Sequence, residues 1–233
     1  MRLTLQTIPS TIISEILSSS NFDGVVLDTE HGCFNNESLY SCIQIITSLD
    51  KQCYVRVTDF NKQLIRMCLD GGVDGLIFST IEDSVLSEEI IRYCNYPNRG
   101  GNRGMGLVRQ NAWGNKSLDT YKPILMAQIE TKKAVNNLST LKECGFDYFV
   151  LGPYDLTSDL KCPGEWENEK YISHIQTLCD IIPRERLGIF LPTVKQAISS
   201  SGIGDKFSLV VWGMDTDFLK TGITGNTHEL SDR

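Results

Sequence analysis

The stretch Asn21-Phe22-Asp23-Gly24-Val25-Val26-Leu27-Asp28 shows the pattern that decides the fold: a polar turn, a glycine, a short apolar run and an acidic residue. Two later segments, Gly71-Gly72-Val73-Asp74 and Gly145-Phe146-Asp147, place similar turn residues before an apolar run. Glycine often ends a helix because it adopts left-handed backbone angles at little cost. Each segment therefore marks the end of a helix and the start of a strand, which predicts a repeated unit.

Eight short apolar runs follow one another along the chain, and segments with helical spacing separate them. One such separator contains Leu39, Cys42, Ile43, Ile46 and Leu49, whose spacing predicts an amphipathic helix. Strands that alternate with helices indicate a parallel sheet. The predicted strands are Leu3–Ile8, Gly24–Leu27, Cys53–Val57, Gly75–Phe78, Ile124–Ile129, Tyr148–Leu151, Leu187–Leu191 and Leu209–Trp212.

The number of units favours a closed barrel over an open sheet. Eight units in 233 residues give about 29 residues each, near the compact end of the (β/α)8 barrel, which has roughly 250 residues. An open doubly wound sheet normally carries a glycine-rich phosphate loop in its first turn, and Ile8-Pro9-Ser10 has no glycine. We therefore predict an α/β fold with one TIM-barrel domain over residues 1–233.

The composition argues against several classes of protein. The chain has 22 Lys and Arg against 29 Asp and Glu, a formal net charge of −7, and no basic run that would bind nucleic acid. No apolar stretch approaches the roughly 18 residues of a membrane span, and no signal-peptide core follows the first residues. The eight cysteines form no CxxC pair, which is typical of a reduced cytosolic protein. We expect a cytoplasmic protein that binds neither nucleic acid nor membranes.

Ionisable residues that follow the strands are the candidate functional groups, because this barrel carries its chemistry at the carboxyl ends of the strands. Glu130 and Asp155 follow the fifth and sixth predicted strands. Two adjacent carboxylates repel each other unless a cation or proton lies between them, and an oxygen-rich site suits Mg²⁺ or Mn²⁺. The alternative is that one of the two caps the next helix or pairs with Arg56.

A second group of candidates, Asp28, Glu30 and His31, follows the second strand. Asp28 is close enough in sequence to orient the imidazole of His31 and raise its basicity, as in an acid/base pair. The alternative for His31 is a purely structural role. Cys33 is a candidate nucleophile, but no second base or oxyanion motif accompanies it.

The motifs that contain these residues resemble those of the HpcH/HpaI aldolases, a family of metal-dependent pyruvate aldolases. The stretch Phe22–Gly32 is similar to the family's second-strand motif. Over residues 3–220 the resemblance continues in the same order, and it implies a (β/α)8 barrel of the phosphoenolpyruvate/pyruvate type. The further motifs are Val55–Val57, Asn102–Gly106, Ala127–Thr131, Leu151–Thr157 and Gly213–Thr216.

The resemblance also implies a role for each site residue. Glu130 and Asp155 would bind the divalent metal, Mg²⁺ or Mn²⁺, with Co²⁺ or Zn²⁺ as substitutes. Arg56 would hold the keto oxygen, while His31 and Asp28 would move a proton at C3. The small-molecule partners are then pyruvate and an aldehyde, joined in or released from a 4-hydroxy-2-oxo acid. The implied substrate-binding residues are Gln128, Gly152, Pro153, Asp155 and Arg56.

Three other functions are compatible with the same fold. A Schiff-base aldolase needs a lysine in the barrel mouth, but Lys132 lies beside Lys133 on a predicted polar helix face. An acyl-coenzyme A lyase like the citrate-lyase β-subunit needs a nucleotide-binding element, which the long segment from Tyr96 to Tyr121 would have to supply. A barrel that binds a keto acid without turnover is the non-catalytic alternative.

Besides the mild replacements at Val57 and Thr157, two features depart from the family pattern. Tyr154 replaces a small residue after the sixth strand, which would narrow the substrate entrance. Gly222 and Gly225 lie where relatives have a full last helix that is exchanged between subunits, and each glycine costs about 1 kcal/mol in a helix relative to alanine. We therefore expect a shortened C-terminal helix and a homo-oligomer assembled differently from the family's hexamer.

Overall fold

The computed structural model describes residues 1–117, 121–193 and 206–231. Eight parallel strands close into a barrel in sequence order, so that the last strand pairs with the first. The predicted barrel is confirmed, and each predicted strand end lies within two residues of the observed one. The strands are β1 (Arg2–Gln6), β2 (Gly24–Asp28), β3 (Gln52–Val57), β4 (Gly75–Phe78), β5 (Ile124–Ile129), β6 (Tyr148–Leu151), β7 (Leu187–Leu191) and β8 (Leu209–Met214).

Helices connect the first seven strands, and several begin at a polar residue whose side chain accepts a hydrogen bond from the first turn. Asn35, Asn61, Asp83 and Thr131 are such caps. Of the helices in the described ranges, none is both long and apolar enough to cross a membrane. The helices are α1 (Thr11–Ser18), α2 (Asn36–Ser48), α3 (Lys62–Gly71), α4 (Ser84–Cys94), α5 (Lys132–Asn136), α6 (Leu138–Leu141), α7 (Pro153–Asp159), α8 (Glu169–Ile181) and α9 (Asp215–Ser231).

Most strand residues are buried on both faces of the sheet, which explains why the strands are largely apolar. Val26 and Tyr54 belong to the cluster inside the barrel, whereas Val25 and Val55 pack with the surrounding helices. Side chains alternate between the two faces of a strand. Asp28 and Arg56 therefore point inward at the ends of β2 and β3, two positions beyond Val26 and Tyr54.

The long connection between α4 and β5 packs at the opposite end of the barrel from these polar residues. Arg109 donates a hydrogen bond to the carbonyl of Gly71 at 2.8 Å, and the hydroxyl of Tyr121 donates to the carbonyl of Val73 at 2.8 Å. Both carbonyls lie just before β4, at the amino ends of the strands. These contacts hold the described part of the segment at the amino ends, away from the carboxyl ends where a nucleotide-binding element would be needed.

The C-terminal helix is longer than the sequence predicts, since α9 continues through both glycines. Phe218 packs against Trp212, with ring centroids 5.6 Å apart, and also against Phe22. Its ring fills the space that a side chain at Gly213 would occupy, 2.2 Å from the ideal Cβ position. Tertiary packing of the first turns thus outweighs the low helix propensity of the later glycines.

Candidate active site

A cavity of about 550 Å³ opens at the carboxyl ends of the strands. Its wall brings together every residue to which the family resemblance assigns a role except Glu130, which is buried behind the wall. The predicted residues in the wall are Asp28, His31, Arg56, Gln128, Gly152, Pro153 and Asp155. The location agrees with the rule that chemistry in this fold takes place at this end of the barrel.

Arg56 and Asp28 form a buried ion pair inside the barrel. They are aligned in the parallel register of β2 and β3, and Arg56 donates from Nε to Oδ1 at 2.8 Å and from Nη2 to Oδ2 at 2.7 Å. Its Nη1 lies 3.0 Å from Oε2 of Glu30. Burial alone would lower the pKa of Arg56, but the hydrogen bond and charge of Asp28, with the charge of Glu30, raise it.

The hydrogen bond that the sequence predicts between Asp28 and His31 is absent from the described contacts. Both oxygens of Asp28 are engaged by Arg56, and Oδ1 also accepts from the backbone N–H of Glu30 at 3.0 Å. His31 lies beyond the strand end and is exposed on the rim of the cavity. Arg56 is the neighbour of Asp28 on the adjacent strand, and its guanidinium donates two parallel hydrogen bonds to the carboxylate.

Glu130 is nearly fully buried, and three donors hold its carboxylate. Thr80 donates to Oε1 from its backbone N–H and from its hydroxyl, each at 2.6 Å, and the amide of Gln128 donates to Oε2. Burial raises the pKa of Glu130 to about 7, and the charges of Glu30 and Asp155 add to this rise against the hydrogen bond from Thr80. A divalent cation beside this carboxylate would relieve the repulsion.

Thr80 contributes to the site but was not predicted from the sequence, because the candidates were ionisable residues and only hydroxyl residues directly follow β4. It adopts a left-handed conformation with φ 52°, which is uncommon for a β-branched residue and is often found at functional sites. The only signal in the sequence was a pair of hydroxyl residues, Ser79 and Thr80, directly after β4.

Gly152 lets the main chain of β6 pass close to Glu130. A Cβ at this position would lie 2.8 Å from Cβ of Glu130 and 2.9 Å from its Oε2. Asp155 follows in the first turn of α7 and is exposed. The N-cap residue Gly152 has no side chain to cap the helix, and the described contacts include no hydrogen bond from the first turn to Asp155.

The residues around Glu130 fit a divalent ion. Glu130 and Asp155 offer carboxylate oxygens, and Oε1 of Gln128 is buried without a hydrogen-bond partner in the described part of the chain. Within those ranges, no three Asp, Glu, His or Cys side chains converge as a complete metal site. Water and substrate oxygens would therefore supply the remaining positions, as is usual for Mg²⁺.

Asp215 is a second residue whose role the sequence did not indicate. It follows β8 and is buried, and its Oδ2 accepts from the backbone N–H groups of Thr7 at 2.9 Å and Ile8 at 2.8 Å. Its Oδ1 accepts from the hydroxyl of Thr7 at 2.8 Å and from the N–H of Thr216 at 2.9 Å. Asp215 thereby joins the end of β8 to the loop after β1.

The other nucleophile candidates lie outside the cavity. Lys133 pairs with Glu82 at 3.0 Å, and Lys132 is exposed at the start of α5. Cys33 is an exposed free thiol. None of Lys132, Lys133 and Cys33 lines the cavity, which disfavours a Schiff-base mechanism within the described residues.

The sequence model of the family described as HpcH/HpaI aldolase/citrate lyase matches residues 8–200. The chain belongs to this family. Its similarity to a 2-keto-3-deoxy-L-rhamnonate aldolase of Klebsiella pneumoniae subsp. pneumoniae is 28% identity over 164 residues, 67% of this chain and 61% of that protein. A hydroxypyruvate/pyruvate aldolase of Roseobacter denitrificans is 28% identical over 166 residues, 68% of this chain and 64% of that protein. The chain thus spans about three fifths of the length of these relatives.

Solved structures show the same fold over nearly the whole chain. A family protein from Burkholderia cenocepacia J2315 superimposes with a TM-score of 0.88 at 21% identity, covering 99% of this chain and 94% of that one. The citrate synthase SbnG superimposes with a TM-score of 0.84 at 22% identity, covering 99% and 93%. At this level of identity the likeness concerns the fold alone.

Proposed function

We propose that this protein is a metal-dependent aldolase that joins pyruvate to an aldehyde, or cleaves the resulting 4-hydroxy-2-oxo acid. The observation that carries the proposal is the buried carboxylate of Glu130, oriented by Thr80 and Gln128 beside Asp155, next to the cavity that Arg56 lines. The two curated relatives described above are named as aldolases, which supports the same reaction class.

Glu130 and Asp155 would hold the divalent ion. When bound, the ion supplies Lewis acidity that polarises the carbonyl of the keto acid. Gln128, whose buried Oε1 has no hydrogen-bond partner among the described residues, and the backbone at Gly152 and Pro153 would orient the keto acid.

Charged and ionisable side chains at the cavity would carry out the proton transfers. His31, exposed at the rim, would accept the proton from C3 of pyruvate. Arg56 would stabilise the negative charge that develops on the keto oxygen, and Asp28, which holds the guanidinium with two hydrogen bonds, would position it. C3 then bonds to the aldehyde carbon, and the aldehyde oxygen takes up a proton to become the 4-hydroxyl.

An acyl-coenzyme A lyase is less well supported. The segment that would have to bind the nucleotide contacts Gly71 and Val73 at the other end of the barrel. A non-catalytic barrel would have no use for a buried carboxylate held by three hydrogen bonds at a cavity wall.

Exchange of the C3 protons of pyruvate in deuterated water tests the proposal, because this step needs no aldehyde. We expect exchange with Mn²⁺ that stops on addition of EDTA, and a loss of at least 100-fold in His31→Ala, as is typical for a general base. Calorimetric titration with Mn²⁺ in the absence of substrate should show binding that Glu130→Gln and Asp155→Asn both lose. Exchange that persists in EDTA, or borohydride trapping of a pyruvate adduct, would contradict the proposal.

The choice between Mg²⁺ and Mn²⁺, a cytoplasmic location and a homo-oligomeric assembly stay predictions from the sequence. Metal titrations and light scattering are the direct measurements of the first and the last.

A further inference from the structure

A second cavity, of about 530 Å³, lies between the loops that follow β3 and β4 and the first half of α4. The described residues that line it are all different from those that line the candidate active site. We call it the α4 cavity. Its volume is typical of a site for a small molecule. Part of its lining carries carboxylates and hydroxyls, and the rest is apolar: Phe60, Phe78, Ile81, Leu86 and Ile90.

Two hydroxyl side chains in the wall of the α4 cavity donate their protons to other groups of the protein. The hydroxyl of Ser79 donates to the carbonyl of Val57 at 3.3 Å, and that of Thr80 donates to Oε1 of Glu130 at 2.6 Å. A hydroxyl has one proton and two lone pairs. Both oxygens therefore present lone pairs to a ligand, which matches a ligand with several N–H donors.

The α4 cavity also carries an excess of negative charge. Glu30 and Asp59 line it, and none of its described lining residues is Lys or Arg. Nη1 of Arg56 lies 3.0 Å from Glu30, but the same guanidinium pairs with Asp28 at 2.7 Å. One positive charge is thus shared by two carboxylates, to which Asp59 adds a third. A cleft lined by charges of one sign attracts ligands of the opposite sign, so the ligand should be a cation.

A multivalent metal ion does not suit the α4 cavity. Cations such as Ca²⁺ take roughly six to eight oxygen ligands, and within the described ranges no three Asp, Glu, His or Cys side chains converge as a metal site. A metal ion would also leave the apolar part of the lining uncovered. Leu86 is 38% exposed and Phe60 is half-buried, and a hydrocarbon chain would remove their apolar surface from water.

We propose that the α4 cavity binds a primary ammonium compound that carries an apolar chain. Its three N–H donors would lie against the carboxylates of Glu30 and Asp59 and the hydroxyl oxygen of Thr80, and its chain would lie against Phe60 and Leu86. This site is separate from the proposed aldolase reaction, and its test requires neither a metal ion nor pyruvate.

Calorimetric titration of the metal-free, full-length protein with n-hexylammonium chloride tests the proposal. 1-Hexanol and hexanoate have the same chain without the positive charge, and ammonium chloride has the charge without the chain. We expect hexylammonium to bind at least tenfold more tightly than each of these three, because it alone combines charge-assisted hydrogen bonds with burial of apolar surface. Equally tight binding of 1-hexanol, hexanoate or ammonium chloride would overturn the proposal.

Asp59→Asn tests the polar part of the site and should weaken hexylammonium binding at least threefold. The matched control is Asp50→Asn, because both residues are exposed and adopt left-handed angles, with φ 53° for Asp59 and 55° for Asp50. Asparagine tolerates this conformation, so we expect both variants to fold. Asp50 does not line the α4 cavity, and its variant should bind hexylammonium as the wild type does. Equal affinities of the two variants would contradict the proposed contact with Asp59.

Leu86→Trp tests the apolar part, because the larger side chain would fill the α4 cavity and abolish hexylammonium binding. Its control is Val85→Trp, one position earlier on α4, where the side chain is 76% exposed and does not line the cavity. This control should keep the wild-type affinity. Unchanged affinity in a folded Leu86→Trp protein would place the bound ammonium compound elsewhere and refute the α4 cavity as its site.

Discussion

Thr80 holds Glu130 with two hydrogen bonds to one carboxylate oxygen, from its backbone N–H and from its hydroxyl, both at 2.6 Å. The two residues are separated by 50 positions in sequence and lie after neighbouring strands of the barrel. The left-handed backbone of Thr80, with φ 52°, lets both donors of one residue reach the same oxygen. The proposed metal-binding carboxylate is thus oriented by a residue that is not itself in the wall of the active-site cavity.

Replacing Thr80 by valine should weaken Mn²⁺ binding. Valine has the shape of threonine but lacks the hydroxyl, so Glu130 loses one of its three donors. Loss of a residue that orients a metal ligand typically costs about 10- to 100-fold in metal affinity. Calorimetric titration without substrate measures this, and Thr80→Ser should remain close to wild type. Equal Mn²⁺ affinity in Thr80→Val and wild type would show that the hydroxyl does not orient the carboxylate.

Gly152→Ala should reduce pyruvate exchange by at least tenfold. The new Cβ would lie 2.8 Å from Cβ of Glu130 and 3.0 Å from Nε2 of Gln128, distances at which one of the groups must move. A displacement of about 1 Å at a catalytic site can cost 100-fold in rate. Gly104→Ala is the control, because nothing lies within 4 Å of its Cβ position. The idea fails if both variants exchange the C3 protons at the wild-type rate.

Asp28→Ala should lower the free energy of unfolding by about 3–5 kcal/mol, because it leaves the buried guanidinium of Arg56 without its main partner. The exposed pair of Lys62 and Glu89, at 2.9 Å, provides a control of the same chemistry. Glu89→Ala should cost about 1 kcal/mol or less. Denaturant unfolding of both variants measures the difference, and equal losses would mean that Arg56 finds other partners.

Asp215→Asn should destabilise the protein by about 1–3 kcal/mol, although it changes the volume very little. Each carboxylate oxygen accepts two hydrogen bonds. Asparagine would replace one oxygen by an NH2 group that faces donors, so that buried polar groups lose their partners. Asp180, exposed on α8, offers the control substitution Asp180→Asn, which we expect to stay within about 0.5 kcal/mol of wild type. Similar free energies of unfolding for the two variants would show that the hydrogen bonds of Asp215 do not stabilise the fold.

Much of the site could be predicted from the sequence, because the place of a residue along its strand determines whether its side chain lies at the carboxyl end of the barrel. Asp28, Arg56 and Gln128 lie near the carboxyl ends of β2, β3 and β5. Each comes two positions after a residue whose side chain points into the barrel, so its own side chain also points inward. Those residues are Val26, Tyr54 and Met126. The alternation of side chains along a strand and the position of the strand end are local properties of a sequence. They were sufficient to predict that these side chains would meet in one cavity.

The pairing of those side chains could not be predicted in the same way. Sequence proximity suggested that Asp28 would orient His31, whereas the register of β2 and β3 sets it opposite Arg56. Register depends on how whole strands pack, which no single stretch encodes. The same holds for α9, where the packing of Phe218 against Trp212 favours a helix that the glycines alone disfavour.

The sequence by itself determined the eightfold alternation of strands and helices, the carboxylates at the strand ends and the family motifs, because periodicity and motif order are carried by neighbouring residues. Only the tertiary structure decided the partners: Arg56 for Asp28, Thr80 for Glu130, and Thr7 for Asp215. Barrel closure brings Thr7 and Asp215 together across 208 positions. Hydrogen bonds depend on distances of a few tenths of an ångström, and these are set only when all eight strands have closed into the barrel.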